Sequence, residues 1–293
     1  MSAESSPILL VDAGNTRAKF GWLEPASGAR ESQAQVLDYA QLEGLGARLE
    51  ALGVRPGRVL ATNVAGPAVG RRLEAVCHRQ LSLPVQWLDG RHGRGLLHNR
   101  YHNAGQLGAD RWVGLIGLLH RVRESPDWIG GAPMLLATFG TATTLDTIVL
   151  RPGRDGVPEA QFLGGLILPG PVLMARSLAD HTAHLPFAEG TPTDYPVDTH
   201  NAISSGIAAA QAGALLRQWR NGLEGAAARA ALVFVSGGGW PLVRPEVERG
   251  LARAQADLGL PPRPAHHLAN PVLDGLACLA LGPEDAAAGR LIY

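Results

Sequence analysis

The chain is poor in cysteine, aromatic residues, lysine and net charge. Only two cysteines occur, Cys77 and Cys278, far apart and outside any CxxC pair. That argues against a disulfide framework or a cysteine-rich metal centre, and it fits a reducing cytoplasm. Lysine is nearly absent, while Arg, Ala and Gly abound, as a GC-rich genome would produce. The 26 basic and 26 acidic residues cancel to a formal charge of 0. No basic surplus exists to condense on nucleic acid or anionic lipid. No apolar run approaches the ~20 residues that span a bilayer. The first seven residues lack a basic region followed by an apolar stretch, so no leader is expected. What remains is 293 residues, 46% of them hydrophobic, enough for a large core in two lobes.

Glycine-rich turns supply the first functional signal. "ILLVDAGNTRAKFGWL" is an apolar run ending on Asp12, then a turn through Gly14, Asn15 and Thr16, then a second strand. The spacing predicts a strand over 8–12 and a hairpin partner over 18–23. "MLLATFGTATTLDTIVL" over 134–150 has the same layout, with Gly140 in the place of Gly14 and Thr138 in the place of Asp12. Glycine lets backbone approach a ligand, and turn N–H groups with Thr hydroxyls can cradle phosphate oxygens. Asp12 repels phosphate but can hold a hydrated Mg²⁺ that bridges to it. Lys19 can offset phosphate charge. An ordinary Asx-type hairpin turn explains VDAGNT alone; two such turns, with SGGG (236–239) after a third strand, argue for phosphate binding. No GxxxxGK[ST] loop is present.

Other patterns complete an α/β reading. Helices are expected over 39–53, 66–79, 109–121 and 171–180, with a terminal helix over 270–282. Strands are expected over 58–64, 85–89 and from 231. Residues 90–105 read as a loop. Pro126 and Gly130-Gly131 mark a boundary, giving lobes of 1–125 and 126–293, with the terminal helix packing back on the first. In "LGADRW", Asp110 stands at a helix start. It suits a cap, or a general base for a substrate hydroxyl with Arg111 as an anion-binding fork. His98 and His102 lack a third ligand and are expected to line a loop.

Together, DAGNTRAK (12–19), GADR (108–111), GTATT (140–144), GGLILPG (164–170) and DTHNAISSG (198–206) resemble the signature set of the type III pantothenate kinases, the Bvg accessory factor family. The resemblance runs from about residue 8 to 282. It implies an actin-like α/β fold of two ribonuclease-H-like lobes around a nucleotide cleft. It implies transfer of the γ-phosphoryl of ATP to pantothenate, the first step of coenzyme A synthesis, with Mg²⁺. Asp12, Ala13, Gly14, Asn15, Thr16, Arg17, Ala18 and Lys19 match the first phosphate loop, with Asp12 at the metal-linked position. Thr141 matches the second loop, and Asp110 the catalytic base. Tyr101, Gly108, Ala109, Asp110, Arg111 and Thr199 match pantothenate-contacting positions, Thr199 near the interface of a homodimer. The glycines of GGLILPG are expected in a loop shaping the pocket and the dimer.

One position departs from that pattern. The family usually has Asp two residues before the GT of its second turn and binds a monovalent cation, K⁺ or NH₄⁺. Thr138 stands there instead, so K⁺ activation is expected to be weak or absent. Two alternatives carry different chemistry: a sugar or acetate kinase on the same fold, and a non-catalytic nucleotide-binding accessory factor of gene regulation.

Overall fold

The computed structural model describes residues 6–92, 97–123, 131–152, 158–187, 189–226, 228 and 230–281. The chain divides into two compact units, one of Met1–Trp128 with Asn270–Tyr293 and the other of Ile129–Ala269. Each is built on one mixed sheet.

In the first unit, β1 (Ile8–Ala13) turns back through Gly14–Thr16 into β2 (Arg17–Glu24). Short strands β3 (Ala29–Arg30) and β4 (Gln35–Asp38) pair with opposite ends of β2. The chain then crosses over, so β5 (Arg58–Asn63) lies parallel to β1, and β6 (Val85–Trp87) lies parallel to β5. The 39–53 segment begins as a 3-10 turn (Tyr39–Gly44) and becomes helix α1 only over Leu45–Ala51. Gly44 and Gly46 lower its helix propensity. Helix α2 (Pro67–Leu81) covers the same sheet face. Alternation along β1 sends Leu9 and Val11 into that core with Phe20, Leu45, Leu49, Leu73 and Val76. Ile8, Leu10 and Asp12 therefore share the opposite face. The two-residue strand β7 (His98–Asn99) and helix α3 (Ala109–Arg123) follow.

The second unit repeats the plan. Strand β8 (Met134–Phe139) pairs antiparallel with β9 (Ala142–Pro152), which pairs antiparallel with β10 (Pro158–Pro169). After helices α4 (Pro171–His181) and α5 (Thr199–Gly225), β11 (Leu232–Ser236) returns parallel to β8. Beyond α6 (Trp240–Asp257), β12 (His266–His267) pairs parallel with β11. With the short strands β4 and β7 set aside, both sheets run third, second, first, fourth, fifth in chain order. β1 and β8 share one burial pattern, with Asp12 and Thr138 as the single half-buried residue of each.

GGLILPG departs from expectation. It is not a loop; it forms the second half of β10, paired with Ala142–Thr147 of β9. The apolar Leu-Ile-Leu run has a strand partner, and the glycines sit by a bulge where Gly164 adopts φ +127°.

Helix α7 (Pro271–Leu281) returns to the first unit and packs against α3. Their backbones nearly touch. A Cβ on Gly275 would fall 1.9 Å from the Val113 carbonyl oxygen, and one on Gly117 would fall 2.1 Å from that of Pro271. Any side chain at either position would force the helices apart. The buried Asp274 carboxylate pairs with Arg30 and accepts from Arg121 Nε of α3 at 3.0 Å. The two helices are thus held by contact and by charge.

Candidate active site

The first glycine turn sits where strand pairing concentrates polar groups. Asp12 lies opposite Lys19 on β2 and opposite Thr62 on β5. Directly paired residues share a sheet face. All three therefore rise on the face away from the α1–α2 core. The Thr62 hydroxyl, itself buried, donates to Asp12 Oδ1 at 3.3 Å. Lys19 is the only lysine in the 293-residue sequence. Gly14, Asn15 and Thr16 form the turn, Asn15, Thr16 and Arg17 exposed and Ala13 and Ala18 buried beneath.

Asp110 approaches the same corner from α3. Its Oδ1 accepts from the Arg111 N–H at 2.8 Å, within the first turn of the helix. A Cβ on Gly108 would sit 2.8 Å from that oxygen, so the glycine of GADR makes room for the carboxylate. Ala109 is buried. Arg111 is buried beside Tyr101; its Nη1 donates to the phenol oxygen at 3.1 Å, and its guanidinium carbon lies 5.9 Å from the ring centroid. Trp112 Nε1 donates to the His92 carbonyl at 2.7 Å and anchors the helix start.

Asp12 feels the Asp110 carboxylate. Burial, then the Asp110 charge, push Asp12 up to about 6, against smaller lowering effects of Lys19 and Thr62. Asp110 is raised by burial, opposed by the Arg111 N–H and guanidinium. A pair of partly shielded acids with raised pKa values is an arrangement suited to proton transfer and cation binding. No cluster of three or more His, Cys, Asp or Glu side chains able to hold a metal occurs among the described residues.

The second turn, in the other unit, has the same backbone but no charge. Thr138 lies opposite Thr144 on β9 and opposite Ser236 on β11. A neutral hydroxyl trio stands where the first unit has Asp12, Lys19 and Thr62. Thr141 is exposed on the turn. Three glycines from two segments crowd it. Gly170 N–H donates to the Thr141 carbonyl at 2.9 Å, and Gly239 N–H to that of Phe139 at 2.8 Å. Gly237, at φ +95°, packs on the Phe139 backbone with no space for a Cβ. The SGGG cluster and the last glycine of GGLILPG thus have a packing reason.

Thr199 is the first residue of α5, exposed, and belongs to the second unit. Its neighbours in DTHNAISSG are structural. Asp198 caps the helix by accepting from the Asn201 N–H at 2.9 Å. Asn201, Ser204 and Ser205 side chains accept from the N–H groups of Thr191, Gly190 and Thr193. They lace the preceding segment onto the helix.

Sequence reasoning missed Thr62 and Tyr39, whose hydroxyl donates to the Gly14 carbonyl. Neither stands in a motif. A β1–β5 parallel register drawn from the two apolar runs was the only signal that could have found Thr62.

Comparison with known proteins decides the family. Residues 8–221 match the family described as Type III pantothenate kinase. The chain belongs to the type III pantothenate kinase family. A type III pantothenate kinase of Bordetella bronchiseptica is 48% identical over 275 residues, covering 93% of this chain and 97% of that one. One from Aromatoleum aromaticum is 39% identical over 285 residues, covering 96% and 100%. The crystal structure of an exopolyphosphatase-like protein aligns at TM-score 0.50 and 13% identity, covering 95% of this chain and 98% of that one. That likeness concerns the fold alone. The chain is accordingly a kinase, built as two mixed α/β units. Among the described residues no helix is long and apolar enough to cross a membrane.

The raised Asp12 has a consequence for stability. Its ordinary value is 3.8 and its folded value about 6. Below about pH 3 the acid is protonated folded or unfolded, and it costs nothing. Between about 4 and 6 the unfolded chain loses the proton first, so stability falls as pH rises, and above 6 the cost is complete. A rise of this size is worth roughly 3 kcal/mol; for a half-buried group we expect about 1–2 kcal/mol. Asp12→Asn should therefore stabilise the nucleotide-free protein by that amount at pH 7.5 and by nothing at pH 2.5. Urea melts at the two pH values measure it, and a destabilised Asn variant at pH 7.5 would contradict it.

Proposed function

We propose that this kinase transfers the γ-phosphoryl of ATP to the 4′-hydroxyl of pantothenate, opening coenzyme A synthesis, with Asp110 as base. The observation that carries the reading is the Asp12–Asp110 pair beside a glycine turn, in a chain of this family. Phosphoryl transfer demands positioning and charge neutralisation more than covalent chemistry. The Asn15 and Thr16 N–H groups and hydroxyl suit phosphate oxygens, and Lys19 supplies a cation beside them. The second turn, through Thr141, offers a neutral counterpart.

The residues fit a hydrated Mg²⁺. Asp12 is a partly shielded carboxylate whose charge burial and Asp110 disfavour, and a cation relieves both effects. Asp12 would hold it through water. Bound there, Mg²⁺ would neutralise phosphate charge. Asp110 orients the pantothenate hydroxyl and accepts its proton late in the transfer. Arg111 and Tyr101, joined by their hydrogen bond, bind the polar groups of the acceptor, with Gly108 and Ala109 keeping the approach open. Both substrates are small cytoplasmic metabolites, and we place the enzyme there.

A homodimer is the second part of the proposal. Its support is an apolar groove of about 430 Å³ between α4 and α5, lined by Met174, Leu178, Leu185, Ile203 and Ile207 and bordered by Thr199. Val172 and Leu173 beside it are exposed. Covering this face would shield apolar surface and bring Thr199 into the assembly. Sedimentation should give about twice the 30.8 kDa chain mass; a monomer at micromolar concentration would overturn it.

Coupled ADP release tests the activity. ADP should appear only when pantothenate is present, and neither a hexose nor acetate should replace it. Binding of ATP without pantothenate-dependent ADP would favour the accessory-factor reading. Asp110→Asn should lower kcat by ~10²–10⁴ with the fold intact, the range for a positioned acid–base group; near-normal turnover would remove Asp110 from that role.

K⁺ dependence follows from the neutral trio. With hydroxyls at Thr138, Thr144 and Ser236, no carboxylate stands at the second turn to hold a monovalent cation. Replacing K⁺ by a tetraalkylammonium ion should change turnover by less than about twofold, because hydroxyl and carbonyl oxygens alone bind such an ion weakly. A steep K⁺ requirement would refute this.

A further inference from the structure

Tyr39 stands outside every sequence motif, yet it touches the first phosphate turn. Strand β4 pairs with β2 so that Asp38 lies opposite Arg17. The next residue, Tyr39, is thereby set beside the turn, at the level of Thr16. Its ring packs against the first unit's core, and its hydroxyl donates to the Gly14 carbonyl. A peptide unit is planar and trans, so the Gly14 carbonyl and the Asn15 N–H point in opposite directions. Fixing the carbonyl toward Tyr39 fixes the Asn15 N–H toward the other side of the turn. Glycine at 14 allows that plane to rotate freely otherwise, since it lacks the Cβ that restrains other residues.

We propose that Tyr39 is a positioning residue for nucleotide binding: its hydroxyl locks the Gly14–Asn15 peptide plane so that the Asn15 N–H is presented to an ATP phosphate. Burial and the Asp12 charge push the phenol up to about 12, so it remains a donor at any pH where the enzyme works. Lys19 and Thr62 serve Asp12; Tyr39 serves the backbone. The inference rests on the reading that this turn binds ATP.

Tyr39→Phe tests it, because the ring and its packing remain. KM for ATP should rise roughly 5- to 20-fold, the effect of one hydrogen bond that orders a binding group. KM for pantothenate should stay within twofold, and the melting temperature within about 2 °C. An unchanged KM for ATP would overturn the proposal, as would an equal rise in both KM values, which a general loosening of the unit would produce. Replacement of Tyr39 by 3-fluorotyrosine keeps ring and hydroxyl and serves if the Phe variant does not fold. Its ¹⁹F resonance should shift with ATP and Mg²⁺ and not with pantothenate alone; no shift with ATP overturns the assignment. Failure of the function itself reads differently. A wild-type chain that releases no ADP with pantothenate sinks the kinase reading, whereas an active wild type with an equally active Phe variant sinks only this one.

Discussion

Two carboxylates of like charge, Asp12 and Asp110, share one partly shielded corner, and the first unit is organised around keeping them there. Burial disfavours the ionised form of both, and the Asp110 charge adds to the cost at Asp12. Left to itself the pair would separate or hold a proton. The fold prevents the first. Asp12 is fixed between β2 and β5, with Lys19 and Thr62 as its ladder partners. Asp110 rides on α3, and α3 is clamped to α7 by backbone contact at Gly117 and Gly275 and by the Asp274 ion pairs. The residue that sets one acid's position is thus more than 150 positions away in the chain. Such an unfavourable charge arrangement is tolerated where surrounding structure over-determines the geometry.

The two units show how one backbone plan serves two electrostatic roles. β1 and β8 have the same length, the same burial pattern and the same antiparallel and parallel neighbours. Their half-buried positions differ entirely. Asp12, Lys19 and Thr62 make a charged set that is incomplete without a counter-ion. Thr138, Thr144 and Ser236 make a neutral set with no such need. A carboxylate at 138 would call for a cation, because a shielded acid without one is costly; threonine removes the requirement along with the charge. The departure at 138 therefore did not need a compensating charge nearby, and its strand partners supply none.

What could be read in the sequence was whatever chain proximity controls. Both hairpins were legible, because an apolar run, a glycine turn and a second apolar run lie within 17 residues or fewer. The terminal helix and the helix bearing GADR were legible by periodicity. The third strand of the second sheet was not: glycines and a proline in GGLILPG suggested a loop, whereas Leu166, Ile167 and Leu168 had a partner strand in β9 that no local pattern announces. Thr62 and Tyr39 escaped for the same reason. Their meaning comes from register, Asp12 opposite Thr62 and Arg17 opposite Asp38, and register is a property of two segments at once.

DTHNAISSG shows how much of a motif can be structural. Most of it folds the chain. Asp198 caps α5, and Asn201, Ser204 and Ser205 each hold a backbone N–H of residues 190–193. These bonds need small polar side chains at fixed helical spacing, since only one face of the helix meets the laced segment. Gly190 lies so close to the His200 carbonyl that no side chain fits there. The first turn of α5 is therefore rigid before any ligand arrives, and Thr199 is left exposed on it. A hydroxyl presented from a capped and laced helix start loses little freedom on binding. The structural residues of the motif are what hold its one exposed threonine in place.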